Sequence, residues 1–239
     1  MVNMNAQNSI TASLFFPLLF VGIMWLVFGI EFAFHTDLGF LGIEPRTLSG
    51  FFGIITAPFV HGDINHLASN SIPMLVLGYL LHSSYRPIFY RVYLWGILIT
   101  GFWVWVGARH SYHIGASGLI YSFASFLVFS GLFRKHYRLV ALSMLVIFLY
   151  GSLIWGIFPF DWKISWESHL FGGISGLLIA IHFRKTVVLH PKKYSWDRDG
   201  DDLAHLESRY GEKYWENKPQ ETTGNQGPVI KYFFKKKED

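Results

Sequence analysis

Long apolar runs alternate with short polar stretches through the first three quarters of the chain and predict membrane-spanning helices. A helix needs about 20 mostly apolar residues to cross the hydrocarbon core of a bilayer, with roughly 17 to 25 tolerated. Six runs approach this length, and the third can extend into its flanking residues: 14–34, 66–81, 92–106, 117–133, 139–158 and 168–183. The pattern therefore predicts an all-α membrane protein with six transmembrane helices.

The first run indicates a retained span, because it is long for a signal peptide and has neither a basic segment before it nor a small-residue cleavage site. The connection that follows, residues 35–65, contains a semi-apolar stretch at 48–60 that is interrupted by Gly and Pro. Such a stretch is too broken to span and predicts an interfacial or partly re-entrant segment packed on protein.

Charge divides the chain into two parts. Of the 20 Lys and Arg residues 12 lie in 184–239, as do 10 of the 16 Asp and Glu residues. We expect residues 1–185 to form the membrane domain and residues 186–239 to be a polar, flexible cytoplasmic tail. No basic stripe outside the tail suggests nucleic-acid binding. The absence of cysteine excludes disulfides, thiol nucleophiles and thiolate metal sites.

Basic residues in short loops predict the orientation in the membrane. They are grouped after the second, fourth and sixth runs: Arg86, Arg91, Arg134, Lys135, Arg138, Arg184 and Lys185. The opposite loops hold one basic residue each, Arg46, Arg109 and Lys163. This bias places both termini in the cytoplasm. The even-numbered runs then cross in one direction, so that their first residues meet near the extracytoplasmic surface.

Polar side chains stand at the start of each even-numbered run: His66 and Asn70, then Ser117, then His169. Polar groups inside a bilayer are costly and mark functional sites. His66 and Asn70 are four residues apart and share a helix face. They predict either hydrogen bonding between helices or a pair of donors directed at an oxyanion.

Ser117 lies between Gly115 and Gly118, where a loop becomes a helix. Amides in the first turn of a helix lack intrahelical partners and can stabilise a developing negative charge. Small residues also pack transmembrane helices, so this motif by itself does not distinguish catalysis from packing.

His169 is followed by Gly172 and Gly176, a small-residue stripe that permits close approach of another helix. The fourth run offers a matching face in Gly118, Ser122 and Ser125. If the two helices touch there, His169 becomes the general base that makes the Ser117 hydroxyl nucleophilic.

No carboxylate has the obvious role of orienting His169. Glu167 points elsewhere on a helix, and Asp161 in the preceding loop has no support. A serine–histidine dyad is the economical interpretation, with Tyr121 on the face of Ser117 packing against the imidazole ring.

Together these motifs resemble the rhomboid family of intramembrane serine proteases. H-x-x-x-N at 66–70, G-x-S-G at 115–118 followed by Tyr121, and H-x-x-G-x-x-x-G at 169–176 occur in the family's order, and His61 also matches a histidine common there. The resemblance implies a six-helix bundle and cleavage of transmembrane substrates. It implies Ser117 as nucleophile and His169 as general base and acid, and assigns the oxyanion hole to His66, Asn70 and the Ser117 amide.

The resemblance has one departure: where many rhomboids carry Trp-Arg in the first loop, this chain has Glu44-Pro45-Arg46. That puts the anchoring of the loop in doubt, not the dyad. No cofactor or metal is implied. We expect a multi-pass protein of a bacterial plasma membrane with its site open to the extracytoplasmic side; the sequence leaves oligomeric state open. The alternatives are a non-catalytic rhomboid-like protein that binds transmembrane clients and, more distantly, a small transporter.

Overall fold

The computed structural model describes residues 4–160, 162, 164–186, 188 and 208–209. Between residues 4 and 183 the regular structure is helical apart from one isolated bridge between Ile43 and His113. The α-helices are α1 (Met4–Phe34), α2 (Leu48–Thr56), α3 (Ile64–Tyr85), α4 (Phe89–Gly107), α5 (Ser117–Arg134), α6 (Tyr137–Tyr150) and α7 (Trp166–Phe183). The prediction of an all-helical fold is confirmed.

Four of the described segments are long and apolar enough to cross a membrane: Thr11–Phe34, Ile64–Gly107, Ser117–Arg134 and Tyr137–Ile157. The second contains both α3 and α4 and has 44 residues. Helix α7 is not among the four, so six spans remain a prediction. These segments support a multi-pass membrane protein.

The bundle belongs to the first compact unit of the chain, Met1–His190. Most of the tail predicted at 186–239 lies outside the described residues, as do Asp161 and Lys163. Of the second unit, Pro191–Asp239, the structure describes the helical residues Ser208 and Arg209.

The semi-apolar stretch at 48–60 forms α2 and a 3-10 turn, and α2 packs on α4. The Thr47 hydroxyl caps α2 by accepting from the Gly50 amide at 3.0 Å. Gly101 on α4 allows the close approach, since a Cβ there would lie 2.7 Å from Ile54. The opposite face of α2 exposes Leu48 and Phe52, as an interfacial segment requires.

Arg46 anchors this first loop despite the missing Trp-Arg pair. Its guanidinium donates to the carbonyl oxygens of Val106 at 3.2 Å and Ala108 at 3.0 Å, at the end of α4. The indole of Trp105 on α4 donates back to the Thr47 carbonyl at 2.8 Å. Hydrogen bonds in both directions therefore attach the first loop to the end of α4.

Helix α5 is the centre of the bundle and packs against α3, α4, α6 and α7. Its contact with α7 is the most extensive between any two described helices and depends on glycine. A Cβ on Gly172 would lie 2.1 Å from the Gly118 carbonyl oxygen, and one on Gly176 would lie 2.1 Å from the Ser122 carbonyl oxygen. Such approach of two backbones brings the first turns of α5 and α7 together.

Candidate active site

Ser117 is the first residue of α5 and follows a backbone turn that only glycine adopts easily. Gly115 has a φ of +99°, in a region that disfavours side chains. The turn is fixed by a hydrogen bond from the Gly115 amide to the Ala57 carbonyl at 2.9 Å. It directs the Ser117 hydroxyl toward α7, while the helix start leaves first-turn amides without intrahelical partners.

His169 lies in the first turn of α7, buried, with its Nε2 atom 2.8 Å from the Ser117 Oγ. Its other nitrogen, Nδ1, lies 2.9 Å from the Gly156 carbonyl oxygen. A carbonyl can only accept a hydrogen bond, so Nδ1 carries the proton in the neutral ring. Nε2 is then the unprotonated nitrogen, which accepts the hydrogen bond of the Ser117 hydroxyl.

The Gly156 carbonyl is the orienting group that the sequence did not reveal. It belongs to a 3-10 segment, Gly151–Ile157, that follows α6. Glu167 is engaged elsewhere, 3.5 Å from Arg109. A side chain at position 156 has no room, because a Cβ would lie 2.0 Å from the Tyr121 hydroxyl oxygen. Every residue has a backbone carbonyl, so the sequence could not predict this contact. The one hint was the presence of glycine at position 156.

Tyr121 holds the other side of the imidazole. Its ring is stacked on His169 with centroids 4.2 Å apart and planes 5° apart. The tyrosine hydroxyl donates to the Leu153 carbonyl at 2.7 Å. The 3-10 segment after α6 therefore contacts both rings, and the orientation of His169 depends on it.

His66 and Asn70 lie on α3, across Gly115 from Ser117. A Cβ on Gly115 would lie 2.6 Å from the His66 Nε2 and 3.5 Å from the Asn70 Nδ2, so both groups point at the backbone before the serine. The Asn70 Nδ2 is buried without a protein hydrogen-bond partner. Helix α3 begins here because the Asp63 carboxylate caps it, accepting from the His66 amide at 2.9 Å.

The His61 ring packs against the His66 ring. The two rings meet edge to face with centroids 5.0 Å apart, and the His61 Nδ1 lies 3.4 Å from the Phe59 carbonyl oxygen. Burial lowers the pKa of His61 to about 4. The side chain is therefore neutral near pH 7 and acts as a packing group.

A cavity of about 600 Å³ opens beside Ser117 and His169. Its lining includes His66, Asn70, Ser117, Tyr121, His169 and Trp162. The residues predicted from the sequence thus converge on one space, which combines these polar side chains with apolar ones such as Ile120 and Leu153. No group of three His, Cys, Asp or Glu side chains suited to a metal ion occurs among the described residues.

Comparison with known proteins identifies the family. A family model described as Rhomboid domain matches residues 49–186. The chain belongs to the rhomboid family. Uncharacterized proteins of Mycobacterium bovis and Mycobacterium tuberculosis are each 34% identical to it over 172 residues, 68% of this chain and 72% of theirs. An uncharacterized protein of Mycobacterium leprae is 33% identical over 173 residues, 68% of both chains.

The match confirms the resemblance recognised in the sequence. The rhomboid domain begins within α2 and ends just after α7, so it contains Ser117, His169 and both α3 residues that face Gly115. This rhomboid is thus a multi-pass membrane protein, of a family that generally comprises intramembrane serine proteases.

Proposed function

We propose that this rhomboid is an intramembrane serine endopeptidase that cleaves transmembrane proteins through a Ser117–His169 dyad. The observation that carries the proposal is the 2.8 Å contact between Ser117 Oγ and His169 Nε2. It is supported by the Gly156 carbonyl, which leaves Nε2 free to accept the serine proton. A serine hydroxyl is a weak nucleophile until a neighbouring base takes its proton.

The reaction proceeds in two stages. Ser117 Oγ attacks the carbonyl carbon of the scissile bond as its proton passes to His169 Nε2, forming a tetrahedral intermediate. His169 then gives this proton to the leaving amine, and the C–N bond breaks to leave an acyl-enzyme. In the second stage a water loses a proton to His169 and attacks the ester, and the proton returns to Ser117 as the carboxylic product leaves.

The oxyanion of each tetrahedral intermediate is assigned to the Ser117 amide, His66 and Asn70. The free Asn70 Nδ2 supports this role, because a buried donor without a partner is costly unless a ligand satisfies it. Donors fixed before the reaction stabilise the developing charge without reorganising during it.

We place the active site near the extracytoplasmic face of a bacterial plasma membrane, with six spans and both termini in the cytoplasm. The cavity must admit water, since hydrolysis consumes it. A stable transmembrane helix hides its backbone bonds, so we expect substrates to contain helix-weakening Gly or Pro near the cut.

The proposal is tested by reconstituting the purified protein into liposomes with single-span substrates that differ in Gly and Pro near the candidate cut. Cleavage by wild type that is absent in Ser117→Ala supports the protease. Cleavage that ignores Gly and Pro placement overturns the substrate rule. Binding of the substrates by both proteins without cleavage by either favours the alternative, a client-binding rhomboid.

A further inference from the structure

A second histidine–serine pair lies beside the dyad with the two residue types exchanged. The His113 Nδ1 lies 2.5 Å from the Ser165 Oγ. His113 precedes Ser117 by four residues, and Ser165 precedes His169 by four. The pair therefore joins the two chain segments that lead into α5 and α7, four residues before Ser117 and His169.

The hydrogen-bond directions of this pair are fixed by its surroundings. The His113 Nε2 faces the Arg109 carbonyl oxygen at 3.0 Å and must donate to it. In the neutral ring Nδ1 then accepts from the Ser165 hydroxyl, whose oxygen accepts from Ser168 at 2.6 Å. Burial is the main cause that lowers the pKa of His113, which favours this neutral form.

His113 is also tied to the first loop. Its amide donates to the Ile43 carbonyl and its carbonyl accepts from the Ile43 amide, both at 2.9 Å. The residue is 3% exposed, so both its backbone and its side chain are packed within the bundle. Ser165 is thereby attached to a fixed point of the bundle.

Arg109 adds a further cross-link between the same two segments. Its Nη2 atom donates to the carbonyl oxygens of Trp162 at 2.9 Å and Ile164 at 2.8 Å. Its Nε lies 3.5 Å from the carboxylate of Glu167, which is 4% exposed. Arg109 therefore binds two backbone carbonyls of the segment that leads into α7, before His169.

We propose that His113 and Arg109 are positioning residues that, with Ser165 and Glu167, form an outer brace setting the distance between Ser117 and His169. The brace deepens the proposed function and rests on it for its effect on catalysis. The glycine contacts of α5 and α7 fix the helices along their length but not the loop before α7. An error of about 1 Å in placing reacting groups costs about 100-fold in rate.

The brace is tested by Ser165→Ala and His113→Leu, which remove the hydrogen bond of the outer pair without creating a buried charge. Ser165→Thr restores the hydroxyl, and His110→Ala removes an exposed histidine of the same loop as a matched control. We would measure the rate of fluorophosphonate labelling, thermal unfolding, and the ¹⁵N signals of the His169 imidazole, identified by their loss in His169→Ala.

The brace predicts that Ser165→Ala and His113→Leu slow labelling by about 10- to 100-fold and shift the His169 Nε2 signal toward that of Ser117→Ala. Ser165→Thr and His110→Ala should behave like wild type. A purely structural role would lower the unfolding temperature and leave the signal and the rate unchanged, which would overturn the proposal. If wild type itself does not label, the protease assignment fails, and the His169 signal still decides whether the brace positions the ring.

Discussion

The Nδ1 of His169 lies 2.9 Å from the Gly156 carbonyl oxygen. This contact gives the proposed dyad the orienting acceptor that a carboxylate supplies in a Ser-His-Asp triad. A neutral carbonyl fixes the tautomer but stabilises the imidazolium less than a charged carboxylate would. The dyad consequently depends on the position of a short backbone segment between α6 and α7.

Replacing Gly156 should disturb the dyad. In Gly156→Ala the new Cβ would lie 2.0 Å from the Tyr121 hydroxyl oxygen and 3.1 Å from the His169 Nδ1, so the segment must move away from the ring. We expect labelling by a fluorophosphonate to slow about tenfold or more.

Two further variants show whether that clash is the cause. Gly151→Ala lies in the same 3-10 segment but meets only the Ile147 side chain at 3.8 Å, and should label like wild type. Adding Tyr121→Phe to Gly156→Ala removes the clashing hydroxyl and should recover part of the rate. A double variant no faster than Gly156→Ala would refute this explanation.

Removing Asn70 should affect the chemical step more than substrate binding. Loss of one oxyanion donor costs about 100- to 1000-fold in kcat, and Asn70→Ala should show this with little change in KM. Asn65→Ala, an exposed asparagine at the start of the same helix, is the control. Equal kcat values for the two variants would remove Asn70 from the oxyanion hole.

The α5–α7 contact should tolerate no side chain at Gly172. Gly172→Ala places a Cβ 2.1 Å from the Gly118 carbonyl oxygen, and overpacking of this kind lowers the free energy of unfolding by about 1–3 kcal/mol. At the adjacent Gly173, a Cβ would meet no heavy atom within 4 Å. Thermal unfolding in detergent should therefore separate Gly172→Ala from Gly173→Ala; equal stabilities would contradict the close packing.

His61 should make the fold sensitive to acid. Burial lowers its pKa to about 4, whereas an unfolded histidine titrates near about 6.5. The unfolded state therefore binds the proton more readily, so this contribution to stability is complete above about pH 6.5 and is lost as pH falls toward about 4. The loss should reach up to about 3 kcal/mol. His61→Phe keeps a ring against His66, and its unfolding temperature should fall less between pH 7 and pH 4.5; an unchanged pH dependence would exclude His61 as the source.

The sequence predicted the helices well because apolar length and small-residue motifs are local properties. The convergence of Ser117, His169 and the α3 pair was predicted from the expected crossing directions of the apolar runs, together with the matching small-residue faces that favour the contact of α5 with α7. The predicted run at 139–158 was correct as an apolar segment, but α6 ends at Tyr150 and continues as 3-10 helix, a difference that hydropathy cannot resolve.

What the sequence did not provide depends on contacts between distant backbone atoms. The carbonyl of Gly156 orients His169, and the carbonyls of Trp162 and Ile164 engage Arg109. Because every residue has a backbone carbonyl, the sequence does not show which carbonyls make these contacts. The Trp105 indole likewise donates to the carbonyl of Thr47, a contact between α4 and the first loop that the sequence does not mark.

The central claim is that Ser117 is an activated nucleophile with His169 as its base. Its most direct test is the reaction of detergent-solubilised protein with a fluorophosphonate probe, comparing wild type, Ser117→Ala and His169→Ala, with an active rhomboid protease alongside. The dyad predicts labelling of wild type, none of Ser117→Ala, and a loss of about 1000-fold or more for His169→Ala. Folded wild type that stays unlabelled while the active protease reacts would contradict it.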